Sequence, residues 1–176
     1  MNNKKIVIFD LDGTLLNTLQ DLTDSTNFVL NSCDYPQRTL DEVRDFVGNG
    51  VLKLIERAVP KNATSEDIQN CLRNFKEHYK NNMFNKTAPY NGIIEMLKNL
   101  NNGGYKTAVV SNKFDSAVKD LCCKYFGNLI DFSAGENELA GIRKKPAPDT
   151  ILKVLQKFEL SQKDAIYVGD SEVDIQ

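Results

Sequence analysis

Residues 6–18 read IVIFDLDGTLLNT: an unbroken run of β-branched and aromatic side chains ends on two aspartates, Asp10 and Asp12, with Gly13 and Thr14 behind them. An apolar run without alternation predicts a strand covered on both faces, as in parallel sheets. After Thr14 the period changes, and Leu15, Leu19, Leu22, Thr26, Val29 and Leu30 fall at helical spacing until Pro36 interrupts. A strand that gives way to helical periodicity argues against the hairpin that an Asp-Gly pair otherwise signals. It argues equally against a calcium loop, where a helix leads in and the glycine stands two positions later.

Beyond this stretch, VLKLIERAV and SEDIQNCLRNFKEHYKNNM are amphipathic, the second placing Ile68, Cys71, Leu72, Phe75 and Tyr79 on one face behind a capping pattern from Thr64 to Asp67. No strand signal occurs between Thr18 and Asn85. From Pro89 the elements alternate. Helix GIIEMLKNLNN stops at Gly103 and Gly104, followed by strand KTAVVSN, helix SAVKDLCCKYF, strand LIDFSAG, helix PDTILKVLQKF and strand AIYVGD. Such alternation predicts an α/β parallel sheet with right-handed crossovers and helices on both faces. Residues 1–16 and 86–176 are then the α/β core, and residues 17–85 an inserted helical lobe.

Composition narrows the chemistry. At 176 residues, 41% apolar and 26% charged, the chain can bury a substantial core, and a formal net charge of −2 offers no basic face for nucleic acid or an acidic membrane. The apolar stretches are too short to cross a bilayer, and Asp10 cuts short what would be the apolar region of a signal peptide, so a cytoplasmic protein is expected. Cys33, Cys71, Cys122 and Cys123 show no CxxC spacing, and the single histidine, His78, stands in a polar helical stretch that predicts a solvent-facing side chain. A zinc site and a histidine-based nucleophilic triad are thereby disfavoured. Carboxylates, hydroxyls and lysines remain.

In an open α/β sheet, ligands bind at the carboxyl ends of the strands. The residues there share a theme: Asp10 and Asp12 end the first strand, Ser111, Asn112 and Lys113 the second, and Asp170 the last, with Asp174 a helical turn later. Lys144 and Lys145 precede Pro146 in the loop before the last long helix. Carboxylates gathered from opposite ends of a chain repel unless a cation lies between them. A ligand set of oxygens without imidazole or thiolate suits a hard cation such as Mg²⁺.

The ordered set DLDGTLLNT, VVSN, KKPAPD and YVGDSEVD resembles the four motifs of the haloacid dehalogenase superfamily, in the family's order, from Ile6 to the last residue. The resemblance implies a Rossmann-like core with an α-helical cap inserted after the first motif. It implies Asp10 as nucleophile, Asp12 as acid/base, and Lys145 as the stabiliser of developing charge. It further implies Ser111 and the backbone N–H of Asn112 as phosphoryl contacts. Asp10, the main-chain carbonyl of Asp12, and Asp170 resemble the Mg²⁺ ligands, with Asp174 orienting metal-bound water or binding directly. Asn17 departs from the pattern, standing where many relatives carry an acid.

A second aspartate at position 12 separates phosphate-ester chemistry from dehalogenation, which has no alcohol to protonate. The stretch VGNGVLKLIERAV resembles the phosphoglycolate-phosphatase cap, in which Gly48, Asn49 and Gly50 read equally as a substrate loop and as a turn between helices. Lys53 and Arg57, a turn apart, read as a carboxylate-binding pair or as a solvated face. The expected activity is hydrolysis of a small phosphorylated metabolite, phosphoglycolate first. A sugar-phosphate mutase and a non-catalytic binding relative are the alternatives. Relatives of this kind continue past the position of Gln176 with a helix and a strand. The strand ending at Asp170 is therefore expected to be a sheet edge with Ile166 and Val168 uncovered, in a truncated form or a homodimer paired through that edge. Asp174 is expected to be the less firmly held of the two last aspartates.

Overall fold

The computed structural model describes residues 5–137 and 141–175. In chain order the strands are β1 (Ile6–Phe9), β2 (Leu16–Asn17), β3 (Ala88–Pro89), β4 (Lys106–Phe114), β5 (Phe132–Glu136) and β6 (Ala165–Val168). The helices are α1 (Leu19–Ser32), α2 (Leu40–Phe46), α3 (Val51–Ala58), α4 (Ser65–Asn82), α5 (Ile93–Asn102), α6 (Asp115–Tyr125), α7 (Asp149–Lys157) and α8 (Glu172–Ile175). Two compact units result, one of Met1–Leu16 with Pro89–Gln176, the other of Asn17–Ala88. Where the chain passes from one unit to the other and back, β2 and β3 pair as a two-stranded sheet. None of the described helices is long and apolar enough to cross a membrane.

The first unit is a Rossmann-like α/β fold around a parallel sheet of order β5-β4-β1-β6. Successive side chains of a strand point to opposite faces. Ile6 and Ile8 pack with Ala108 and Val110 against Val154 and Leu155 of α7, while Val7 and Phe9, on the opposite face, are buried as well. The double burial is what the unalternating run IVIF requires. The chain leaves β1 for β4 and β5 on one side and returns to β6 on the other, so β1 is the topological switch point, where a crevice opens at the strand ends. The register aligns Phe9 with Val109 and Val168, which puts the residues that follow each strand at one level. At the outer edge β6 leaves Ile166 and Val168 exposed.

The second unit packs α1 against α4, with α2 and α3 between their ends, over Leu22, Val29, Leu30, Val43, Leu54, Ile55, Phe75 and Tyr79. Thr64 and Asp67 form the capping box expected from the sequence. A second box, Thr39 with Glu42, starts α2, a helix too short and with too few buried apolar side chains for its period to register; the cap is its sequence signal. Helix α1 begins at Leu19 rather than just after Thr14. The amides of Leu15 and Leu16 both bond back to the Leu11 carbonyl at 3.0 Å, and Leu16 then enters β2, so Leu15, the first leucine at helical spacing, is buried outside the helix. His78 is not solvent-facing: its ring stacks on Phe28 at 3.9 Å and Nδ1 lies 3.0 Å from Ser25 Oγ. Burial holds its pKa below the ordinary value.

Asp21 ties this unit together. Its carboxylate is buried and accepts hydrogen bonds from the amide of Lys86 at 3.0 Å and from the amide and hydroxyl of Thr87 at 2.9 and 2.8 Å, fixing the segment before β3 to α1. Asp21→Ala strands these donors, and hydrogen bonds to charged groups contribute about 1.5–3 kcal/mol each. Allowing for water entry, the variant is expected to lose about 2–4 kcal/mol, read as a lower urea midpoint at unchanged slope.

Candidate active site

Strand β1 delivers Asp10 to the crevice, its amide extending the ladder to the Val168 carbonyl at 2.9 Å. The side chain is buried with 6% exposure. Lys145 Nζ lies 2.9 Å from Asp10 Oδ1 in a buried ion pair, and this oxygen has no other polar partner among the described residues. Burial is the main reason its pKa is raised to about 6, and the charge of Asp12 adds to it; Lys145 opposes both.

Lys145 is itself buried, whereas Lys144 is partly exposed. Its ammonium also donates to Asp174 Oδ1 at 2.6 Å and to the Tyr167 hydroxyl at 2.9 Å. Asn112 places this lysine: its side-chain amide donates to the Lys145 carbonyl at 3.0 Å, and its carbonyl oxygen accepts from the Lys145 amide at 2.8 Å. The side chain of Asn112 thus serves as a brace between the end of β4 and the loop before α7. Ser111 is buried beside it, and its hydroxyl accepts from the Lys113 amide at 3.3 Å.

Among the described residues, Asp174 accepts more hydrogen bonds than Asp170 does. Oδ1 accepts from Lys145 and from Tyr167 at 2.8 Å, and Oδ2 accepts from the amide and hydroxyl of Ser171 at 3.0 and 2.7 Å. Burial alone would raise its pKa, yet these donors hold it below the ordinary value. Asp170 is exposed and accepts from Thr14 Oγ1 at 2.9 Å. Gly13 stands against it with φ +83°; a Cβ there would come within 2.1 Å of Asp170 Oδ2, so both the conformation and the close approach demand glycine.

Among the described residues, Asp10, Asp170 and Asp174 present oxygens that lie within 4.8 Å of one another. Asp12 is not in this cluster. Its carboxylate turns instead to Lys113 Nζ, at 3.0 and 3.2 Å, in a pair whose ammonium end is almost fully buried. Four carboxylates thus face two lysines, an excess of two negative charges when all are ionised. A divalent cation neutralises that excess. Asp10, whose oxygens keep capacity beyond the Lys145 pair, and the exposed Asp170 suit it as ligands, and the hard oxygen set matches Mg²⁺ in kind. Asp174, with both oxygens already bonded, is suited to holding Lys145.

Of seven sequence-derived residues in the first unit, Asp10, Asp12 and Asp170 follow strand ends, Lys145 lies in the loop before α7, and Asp174 in α8; Ser111 and Asn112 lie within β4, which runs on to Phe114 past an irregular register after Val110. Gly48, Asn49 and Gly50 belong to the second, between α2 and α3. There Arg57 donates to the Phe46 carbonyl at 2.8 Å and to Asn49 Oδ1 at 2.9 Å, and Lys53 pairs with Glu56, so both cations are engaged locally in holding the turn and helix. Lys113, Tyr167 and Thr14 had no role assigned from the sequence. Lys113 directly follows the pair Ser111–Asn112, and a tyrosine in an apolar strand has a hydroxyl that needs a partner when buried. Those were the available signals.

The fold and this carboxylate–lysine centre define a class. The family model for haloacid dehalogenase-like hydrolases matches residues 7–176, and the chain belongs to that family. Over 99% of its length it is 35% identical to the phosphoglycolate phosphatase of Pasteurella multocida (strain Pm70), covering 81% of that protein. It is 30% identical to the phosphoglycolate phosphatase of Nitrosospira multiformis, over 98% of this chain and 77% of that one. A crystal structure from Haemophilus somnus 129pt, described as a predicted phosphoglycolate phosphatase, superposes with TM-score 0.92 at 33% identity, covering 99% of this chain and 80% of the other.

In metal-free protein the crowding of Asp10 costs stability. Its folded pKa of about 6 exceeds the ordinary 3.8, so the folded state holds the proton more tightly, and the stability this confers is full below pH ~4 and lost as pH rises through ~6. Asp10→Asn removes the charge while Lys145 keeps Asp174 as its partner. With excess EDTA at pH 7 the variant is expected to be more stable than the parent by on the order of 3 kcal/mol, the gap closing toward pH 4 in guanidinium titrations.

Proposed function

We propose that the protein is a Mg²⁺-dependent phosphatase of small phosphate monoesters, that it acts through an aspartyl-phosphate on Asp10, and that phosphoglycolate is its first substrate. The observation that carries the reading is the buried Asp10 carboxylate at the switch-point strand, ion-paired to Lys145 and clustered with Asp170 and Asp174, with the Asp12–Lys113 pair two residues on. The named relatives support the choice of substrate.

Asp10 attacks phosphorus as the bond to the ester oxygen breaks, and the Asp12–Lys113 pair gives the departing alkoxide its proton. Water then attacks the aspartyl-phosphate, its proton returns to Asp12, and inorganic phosphate leaves with Asp10 regenerated. Ser111 and the Asn112 amide hold phosphoryl oxygens, and Lys145 offsets charge on Asp10 and on the group it receives. Asp10, Asp170 and the Asp12 carbonyl, with Asp174 behind them, would hold Mg²⁺, which would supply neutralisation of the dianionic phosphoryl group. Residues 17–85 act as the cap that selects the leaving group, with Gly48–Gly50 as a candidate selector.

A panel of phosphate esters, hexose phosphates included, assayed with Mg²⁺ and with excess EDTA tests the reading. Phosphate release from phosphoglycolate is expected only with the metal; isomerised hexose phosphate as the product would point to mutase chemistry instead. Asp10→Asn is expected to be inactive. Lys113→Met, which leaves Asp12 without its buried partner, is expected to lower kcat by about 10²-fold with little change in KM, the scale of a misplaced acid/base. Gly50→Val is expected to change the preference among esters more than the hydrolysis of a small generic one, and equal losses would make that glycine structural only.

A further inference from the structure

The helical unit holds a second reactive pair that the phosphatase reading does not use. Cys33 caps the C-terminus of α1, Cys71 lies on α4, and their sulfurs are 3.6 Å apart although the residues are 38 positions apart in sequence. Packing of α1 on α4 sets this approach, together with the turn that closes α1, where the Cys33 amide bonds to the Leu30 carbonyl at 3.1 Å. The two thiols differ in access. Cys71 is fully buried, and Cys33 is partly exposed.

We infer that Cys33 and Cys71 are a modification site that hydrogen peroxide converts into a reversible disulfide within the helical unit. Cys33, the accessible sulfur, attacks one peroxide oxygen; the O–O bond breaks, the sulfur is oxidised to a sulfenic acid, and the other oxygen leaves as water. Cys71 sulfur then attacks the Cys33 sulfur, the S–O bond breaks, and the hydroxyl leaves with the Cys71 proton as a second water. One peroxide is reduced and two thiols are oxidised. Burial, with the neighbouring Cys33, pushes the Cys71 thiol up to about 12, so Cys71 is a protonated thiol that gives up its proton as it attacks the oxidised Cys33 sulfur. This fits the order in which Cys33 reacts first.

A bond length of about 2 Å requires the sulfurs, now 3.6 Å apart, to close by less than 2 Å. The ring so formed encloses α2, α3 and the Gly48–Gly50 turn. Closing so long a loop removes much of the freedom of the unfolded chain, so the oxidised protein unfolds at higher temperature.

The test exposes the full chain to equimolar hydrogen peroxide, blocks remaining thiols under denaturing conditions, and maps unreduced peptides by mass. Expected is one linked peptide pair containing Cys33 and Cys71, two hydrogens lighter than the reduced pair and separated by dithiothreitol. A melting temperature several degrees above that of the reduced protein accompanies it. Cys33→Ser is expected to melt like the reduced parent and to show neither the link nor the shift. Recovery of both cysteines in blocked form, with oxidation confined to the exposed Cys123, would overturn the inference. So would Cys33 proceeding to sulfinic acid while Cys71 stays reduced. The mapping of the unsubstituted chain decides the matter even if the variant misfolds.

Discussion

A buried ammonium among carboxylates organises the α/β unit. Lys145 Nζ reaches Asp10, Asp174 and Tyr167 within 3 Å, joining the end of β1, the helix after β6 and a side chain of β6 itself. A buried cation without such partners would deprotonate or drag its loop into water. With them it fixes β1 to β6 and α8, segments more than 150 positions apart in sequence. The loop that carries Lys145 is in turn held at both its amide and its carbonyl by one asparagine side chain from β4. Every strand bordering the crevice therefore has a hand in placing this one charge.

The balance around Lys145 is deliberately incomplete in a physical sense. Asp174 has all the donors its two oxygens need, and Asp12 has Lys113, but the buried Asp10 Oδ1 has, among the described residues, only Lys145. Such an oxygen costs stability in the resting protein. Under the proposed function that cost has a use, because a nucleophile already satisfied by neighbours is a poor one and a ligand already bonded is a poor ligand. The two lysines divide by position: Lys145 pairs with Asp10 and Lys113 with Asp12.

The helical unit follows a different logic. Its buried polar group, Asp21, is fully engaged, its turn at Gly48–Gly50 is held by Arg57, and its histidine is stacked and bonded within the unit. These are the contacts of a part built to keep its shape. The cysteine pair sits within that same frame, where helix packing rather than loop motion sets the distance between the sulfurs.

The alternation of elements, the doubly buried first strand and the positions of Asp10, Asp12, Ser111, Asn112, Lys145, Asp170 and Asp174 were legible in the sequence. Strand periodicity and strand ends are short-range properties, and the carboxyl end of a parallel sheet is where chemistry gathers whatever the details. The start of α1, the existence of α2 and the environment of His78 were not legible. Each depends on what a short segment meets in space: the Leu11 carbonyl, a capping glutamate, the ring of Phe28. Pairing was the largest thing hidden. Nothing local says that Lys113 belongs to Asp12 across 101 positions, that Asp174 is saturated while Asp10 is not, or that Cys33 touches Cys71. Sheet register and helix packing set those distances, and both are properties of the folded chain, because a side chain's neighbours in space are chosen by the core as a whole.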